Sequence, residues 1–133
     1  MEAKQVIVMR KDLKMRKGKM ISQGAHASLG VILKQMVHEN DQKGHFFKYL
    51  SVSFSDPLYA WLTGIFTKIT VSVDSEEELM KIYNLADSKG LPCILIEDKG
   101  LTEFKGVVTK TCIAIGPAWN EDIDKITGHL KLL

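Results

Sequence analysis

Between Lys68 and Asp98 the chain spells out a strand, a helix and a second strand, and each boundary carries its own signal. "KITVSV" alternates Ile69, Val71 and Val73 with polar partners, the period of a strand with one wetter face. In "DSEEELMKIYNLADSKG", Ser75 and Glu78 stand at capping-box spacing and acids fill the first turn; Leu79, Ile82, Tyr83 and Ala86 then recur at helical spacing. Gly90 stops the helix and Pro92 bars its continuation before "CILIED" begins. Such a unit predicts a parallel pair of strands with a right-handed crossover, and with it an α/β domain.

The remaining segments fit that class. "KQVIVM" (Lys4 to Met9) reads as a buried strand, and Lys19 to His38 as a long helix behind Gly18. From Glu39 to Pro57 no period is clean; a turn, a short amphipathic piece around Phe46 to Leu50 and a second turn are expected, then a helical turn holding Trp61. "VTKTCIAIG" predicts a fourth strand and "NEDIDKIT" a final helix. The expected architecture is a small mixed sheet with helices on its faces.

At 133 residues and 45% hydrophobic, the chain is expected to be one domain over residues 1–133 with an ordinary core. No apolar run reaches the roughly 18 residues of a bilayer span, and "MEAKQVIVMRKD" lacks a secretory signal, so a soluble cytoplasmic protein without membrane contact is expected. Cys93 and Cys112 lie in apolar segments outside any zinc spacing and read as buried thiols. His38, His45 and His129 show no metal spacing, and no phosphate loop, dinucleotide fingerprint or Ser-His-Asp order is present; no cofactor or metal is expected.

Charge is uneven. Residues 10 to 19 hold six cations (Arg10, Lys11, Lys14, Arg16, Lys17, Lys19) against Asp12, whereas the rest of the chain is slightly acidic and the net charge is only +2. One basic patch on an acidic body points to a polyanion such as nucleic acid. Beside it, at 100° per residue, Lys19, Gln23, His26 and Gly30 fall in one narrow sector of the first helix. Apolar residues around the rest of that helix predict that it is largely enclosed, so the polar row must either find partners in the fold or line a cleft. Lys19 follows the first strand and Asp98 ends the third; ligand sites in open α/β sheets form beyond such strand ends, where the two groups can meet. Strand alternation places Thr109, Thr111, Ile113 and Ile115 on one face, with the threonines near that mouth.

These segments, in this order, resemble the type II peptidyl-tRNA hydrolase family, found in archaea, eukaryotes and a bacterial branch. The resemblance is carried by "KQVIVMRKDLKMRKGKM", "AHAS" with Gln23 before it, "VDSEEEL", "GLPCILIEDKG", Thr102, "AIGP" and the tail "DKITGHLKLL", and covers Lys4 to Leu133. The family's frequent Asp-Ala-Gly-x-Thr-Gln reads "DKGLTE" here, and "GLTEF" resembles the bacterial branch. The resemblance implies a three-layer α/β/α fold on a mixed four-stranded sheet, a homodimer, and metal-free cleavage of the ester between a peptide and the 3′ end of tRNA. It places function on Lys19, Asp98, His26, Thr102 and Thr111. Asp98 would position or deprotonate water, Lys19 with the helix N-terminal amides would stabilise the oxyanion, and His26 and Gln23 would orient the terminal ribose. The loop cations Arg10, Lys14, Arg16 and Lys17 would hold acceptor-stem phosphates. Two other readings stand beside it: a non-catalytic tRNA- or RNA-binding module, and a hydrolase of another acyl-tRNA.

Overall fold

The computed structural model describes residues 1–133. In chain order it contains β1 (Ala3–Arg10), α1 (Lys17–Lys34), β2 (Val37–Asn40), β3 (Phe46–Tyr49) and α2 (Pro57–Thr63), then β4 (Lys68–Val73), α3 (Glu76–Ser88), β5 (Cys93–Asp98), β6 (Thr109–Trp119) and α4 (Asn120–Thr127). The main sheet has the order β4-β1-β6-β5, with β1 and β4 parallel and β6 antiparallel to both β1 and β5. It is mixed and four-stranded, with helices on both faces, as expected.

The parallel pairing predicted for β4 and β5 does not form. They point the same way from opposite edges, with β1 and β6 between them. Burial explains the order: β1 and β6 are apolar and almost continuously buried, and so take the centre, whereas β4 and β5 carry the wetter residues that an edge tolerates.

Alternation along β1 divides the core into two layers. Val6 and Val8 join Val71, Val73, Leu79, Ile82, Ile113, Ile115, Ile123 and Ile126 on the side of α3 and α4. Ile7 and Met9 join Ala27, Val31, Trp61, Cys112 and Ala114 on the side of α1 and α2. Gln5 is fully buried in the second layer, where its amide nitrogen donates to the Ser28 carbonyl and its amide oxygen accepts from the Ser28 hydroxyl, fastening β1 to α1. Met15, 5% exposed, anchors the basic loop between them into the same layer.

Three further expectations are corrected. First, α1 ends at Lys34 rather than His38; the chain turns at Gln35 and His38 enters a strand. Second, α1 is not enclosed: Ile21 (72% exposed), Leu29 (59%) and Leu33 (36%) face outward with Ser22, Ala25 and His26. Third, the segment without a clean period contains a hairpin, β2 paired with β3, which forms a separate two-stranded sheet with every residue exposed.

The end signals of α3 are used as read, with one shift. The Ser75 hydroxyl accepts the Glu78 N–H at 3.0 Å, but the Glu78 carboxylate accepts from Asp74 N–H, one residue before the expected reciprocal partner. Ser75→Ala is expected to lower stability by about 1 kcal/mol. Leu79→Ala, at a fully buried position, should lower it by about 2 to 5 kcal/mol. Urea titrations followed by circular dichroism read both.

Candidate active site

Strands β1 and β5 run in the same direction and release their C-terminal ends at one edge of the fold. The basic loop leads from β1 into α1, and the 99–108 loop leaves β5 and returns as β6. Lys19, in the first turn of α1, therefore faces Asp98, the last residue of β5. Its Nζ donates to Asp98 Oδ1 at 2.8 Å and to Thr102 Oγ1 at 2.8 Å, with both charged side chains only 13% exposed. The Phe104 ring lies 5.7 Å from the same ammonium.

Asp98 is held from three sides. Lys19 takes Oδ1, the Gly100 N–H donates to Oδ2 at 2.8 Å, and Gln23 Nε2 lies 3.4 Å from Oδ1. The Lys19 hydrogen bond above all, with Gly100 N–H and the nearby Lys19 and His26 charges, holds its carboxyl below the usual carboxylate range. Asp98 is a carboxylate throughout the neutral range. The loop beyond it is shaped by Gly100, whose φ of +78° and contact with Val107 admit no side chain: an added Cβ would lie 2.6 Å from Val107 N and O. Gly106 N–H closes the loop onto the Gly100 carbonyl at 2.7 Å, and this brings Thr102 over Lys19.

Behind Asp98 lies a buried relay. An ionised Asp98 can only accept, so the Gln23 amide presents its NH₂ to it and its oxygen to Thr111, whose hydroxyl then donates to Gln23 Oε1 at 2.6 Å. Regular alternation puts Thr111 on the face of Ile113 and Ile115, which in the fold pack on the side of α3 and α4. A bulge corrects this: Ile96 pairs with Cys112 but Glu97 with Lys110, leaving Thr111 as the extra residue of β6. The extra residue breaks the alternation and turns the Thr111 side chain to the α1 side with Cys112.

Gln23, at 2% exposure, belongs to this relay and not to an open surface. His26 is exposed beside Asp98 and makes no side-chain hydrogen bond, so it is free to meet a ligand. The loop cations divide. Arg10 is spent on Asp12, Glu76 and the Lys110 carbonyl, and Lys11 is paired with Asp74. Lys14, Arg16 and Lys17 are exposed and unpaired. Lys14 and Arg16 line a cleft of about 500 Å³ together with Leu13, Thr102, Glu103 and Phe104. Glu103, which stands in "DKGLTE" where the family frequently has glutamine, lies 3.4 Å from the Arg16 backbone nitrogen at the start of α1 and puts a negative charge in this basic cleft. Cys112 is fully buried, and desolvation pushes its thiol up to about 12, which removes it as a nucleophile. No three His, Cys, Asp or Glu side chains gather where they could share a metal ion.

The sequence profile of the family described as Peptidyl-tRNA hydrolase PTH2 matches residues 3–133. The chain belongs to this family. It is 43% identical to the peptidyl-tRNA hydrolase of Methanocaldococcus jannaschii, over 98% of this chain and 99% of that one. It is 42% identical to that of Sulfurisphaera tokodaii over the full length of both. A solved structure of a protein of unknown function from Agrobacterium shares the fold, with a TM-score of 0.58 at 14% identity over 100% of this chain and 98% of that one. The bacterial-branch affinity read from "GLTEF" is not borne out, because these curated peptidyl-tRNA hydrolase relatives are archaeal. No helix of the chain is long and apolar enough to cross a membrane.

The relay can be tested apart from the rest of the site. Thr111→Val removes the hydroxyl at nearly constant shape and leaves the buried Gln23 oxygen without its donor, which should lower stability by about 1 to 3 kcal/mol. If the relay positions Asp98, Thr111→Ser should restore both stability and kcat, as read by urea titration and a turnover assay.

Proposed function

We propose that the Lys19–Asp98 cleft is where this member of the peptidyl-tRNA hydrolase family cleaves the ester between a peptide and the 3′ end of tRNA. The observation that carries this reading is the Lys19 ammonium, held at 2.8 Å from both Asp98 and Thr102 at the start of α1. Ester hydrolysis needs a placed water and a donor where the carbonyl oxygen becomes an oxyanion. Lys19 is the donor, helped by the first N–H groups of α1, which carry no side-chain cap. Asp98, kept ionised, accepts a hydrogen bond from the attacking water and orients it; as the ester C–O bond breaks, the water's proton passes to the departing ribose 3′ oxygen. Thr102 holds Lys19. His26 meets the terminal ribose, and Gln23 and Thr111 act from beneath as positioning residues. No covalent intermediate is invoked: Cys112 is inert, and the water meets the ester directly, so that free peptide and tRNA leave together.

The unpaired Lys14, Arg16 and Lys17 supply the contacts to acceptor-stem phosphates, while Arg10 shapes the loop through its pairing with Asp12. The homodimer, the cytoplasmic setting and the single domain over residues 1–133 that were expected from sequence go with this reading. A binding module without catalysis would have no use for an ionised Asp98 held in three places beside an ammonium.

The assay is release of N-acetyl-amino acid from tRNA. Lys19→Ala is expected to lower kcat by about 10² to 10³-fold, the size of losing one oxyanion donor, and Asp98→Ala by about 10² to 10⁴-fold, the size of losing the group that acts on the attacking water. Retention of near-normal turnover in either variant sinks the assignment. For tRNA binding, the combined Lys14→Ala, Arg16→Ala and Lys17→Ala variant should flatten the log–log dependence of affinity on salt by about 2 to 3, close to one unit per lost phosphate contact. The acid limb has a fixed sign. Asp98 has a lowered folded pKa, so its contribution to stability is full above the unfolded value of 3.8 and fades as pH falls through the folded one. Thermal unfolding of Asp98→Asn should accordingly depend less on pH below about 4 than that of the parent.

A further inference from the structure

A peptidyl-tRNA ester joins two arms of opposite chemistry, a polyanionic nucleotide chain and a peptide, and both must leave the reacting centre over the protein surface. Two surfaces lie beside the Lys19–Asp98 pair. One is the cleft lined by Lys14, Arg16 and Thr102, whose charge suits the nucleotide arm. The other is a shallow, open groove of about 380 Å³ between side chains on the outward face of α1 alone, lined by Ser22, Ala25, His26, Leu29, Gly30 and Leu33. Apart from His26 it carries no ionisable group, and Leu29 and Leu33 stand 59% and 36% exposed in it.

Resting on the function proposed above, we propose that this α1 groove takes the peptide arm of the substrate and favours apolar side chains near the ester. Continuity with the site supports this occupant. His26 lines the groove and also acts electrostatically on Asp98, so a chain leaving the ester carbon past His26 enters the groove directly. Length supports it too. From Ser22 to Leu33 the helix rises about 16 Å, at about 1.5 Å per residue. That span accommodates about five residues of extended peptide at about 3.3 Å each. The groove is open along its length, so longer peptides run on into solvent beyond Leu33. A second copy of the chain seated on this face would cover His26 and close the site to substrate, which argues for the peptide as occupant.

The test uses the full chain and two tRNA substrates, one bearing N-acetylglycine, which is too short to reach Leu29, and one bearing an N-acetylated leucine tetrapeptide. The unaltered protein should show a KM for the leucine substrate about tenfold lower than for the glycine one, the scale of one or two buried apolar groups. Ala25→Glu and Leu29→Glu lie on an exposed helix face and are expected to fold normally. Each should raise the leucine-substrate KM about tenfold while leaving N-acetylglycine turnover and the elution mass unchanged. Equal KM values for the two substrates in parent and variants overturn the inference. Loss of both activities with a change in elution mass also overturns it, and shows the face to be an interface between copies. If the parent cleaves neither substrate, the proposed function itself fails and this inference with it.

Discussion

The contact between Lys19 and Asp98 joins residues separated by 79 positions in the chain, and the arrangement of the working edge follows from making it. Bringing the ends of β1 and β5 to one edge requires that the two strands run the same way, although β6 lies between them and runs the other way. The central strands are fixed by burial on both faces, and β5 takes the outer position. α1 then packs across β6 and β5 with its N-terminus above the strand ends. The ion pair is thus a consequence of sheet order. In return it ties the basic loop, α1 and the 99–108 loop into one rigid edge.

Much of this was legible in the sequence because local signals and buried faces agree. The boundaries of β4 and α3 follow directly from period and capping. Lys19, Gln23 and His26 share a sector because helix geometry demands it, and the basic loop stands out by charge alone. Sheet order was not legible, since a strand-helix-strand unit fixes relative direction but not adjacency, and the two most apolar strands compete for the centre. The hairpin was missed for a related reason: with every residue of β2 and β3 exposed, no face is selected and no inside-outside alternation is written into "VHEN" or "FFKY". On α1, apolar identity suggested enclosure, but a soluble surface is itself largely apolar, and Ile21, Leu29 and Leu33 belong to that surface.

Thr111 shows how one backbone irregularity can reverse a periodicity argument. Regular alternation puts it with Ile113 and Ile115 in the apolar layer of α3 and α4. The bulge moves it across the sheet to Gln23, and Cys112, also on that side, donates to the Gln23 main-chain carbonyl. A bulge inserts a single residue and leaves no trace in composition. The signal that carried Thr111 into the candidate set was the family resemblance, and the bulge supplies its physical reason.

At rest, Lys19 and Asp98 neutralise each other, so the mechanism proposed for this cleft requires Lys19 to turn toward a developing oxyanion without Asp98 losing its place or its charge. Because Asp98 also accepts from Gly100 N–H and faces the Gln23 amide, it has other donors when the ammonium is shared. Thr102 also accepts from Lys19, a second hold on the ammonium besides Asp98. Each support would be redundant if the ion pair were only structural. Under that proposal the buried relay through Gln23 to Thr111 has its purpose when Lys19 is drawn away, since it and Gly100 N–H are then the donors that hold the Asp98 carboxylate in place.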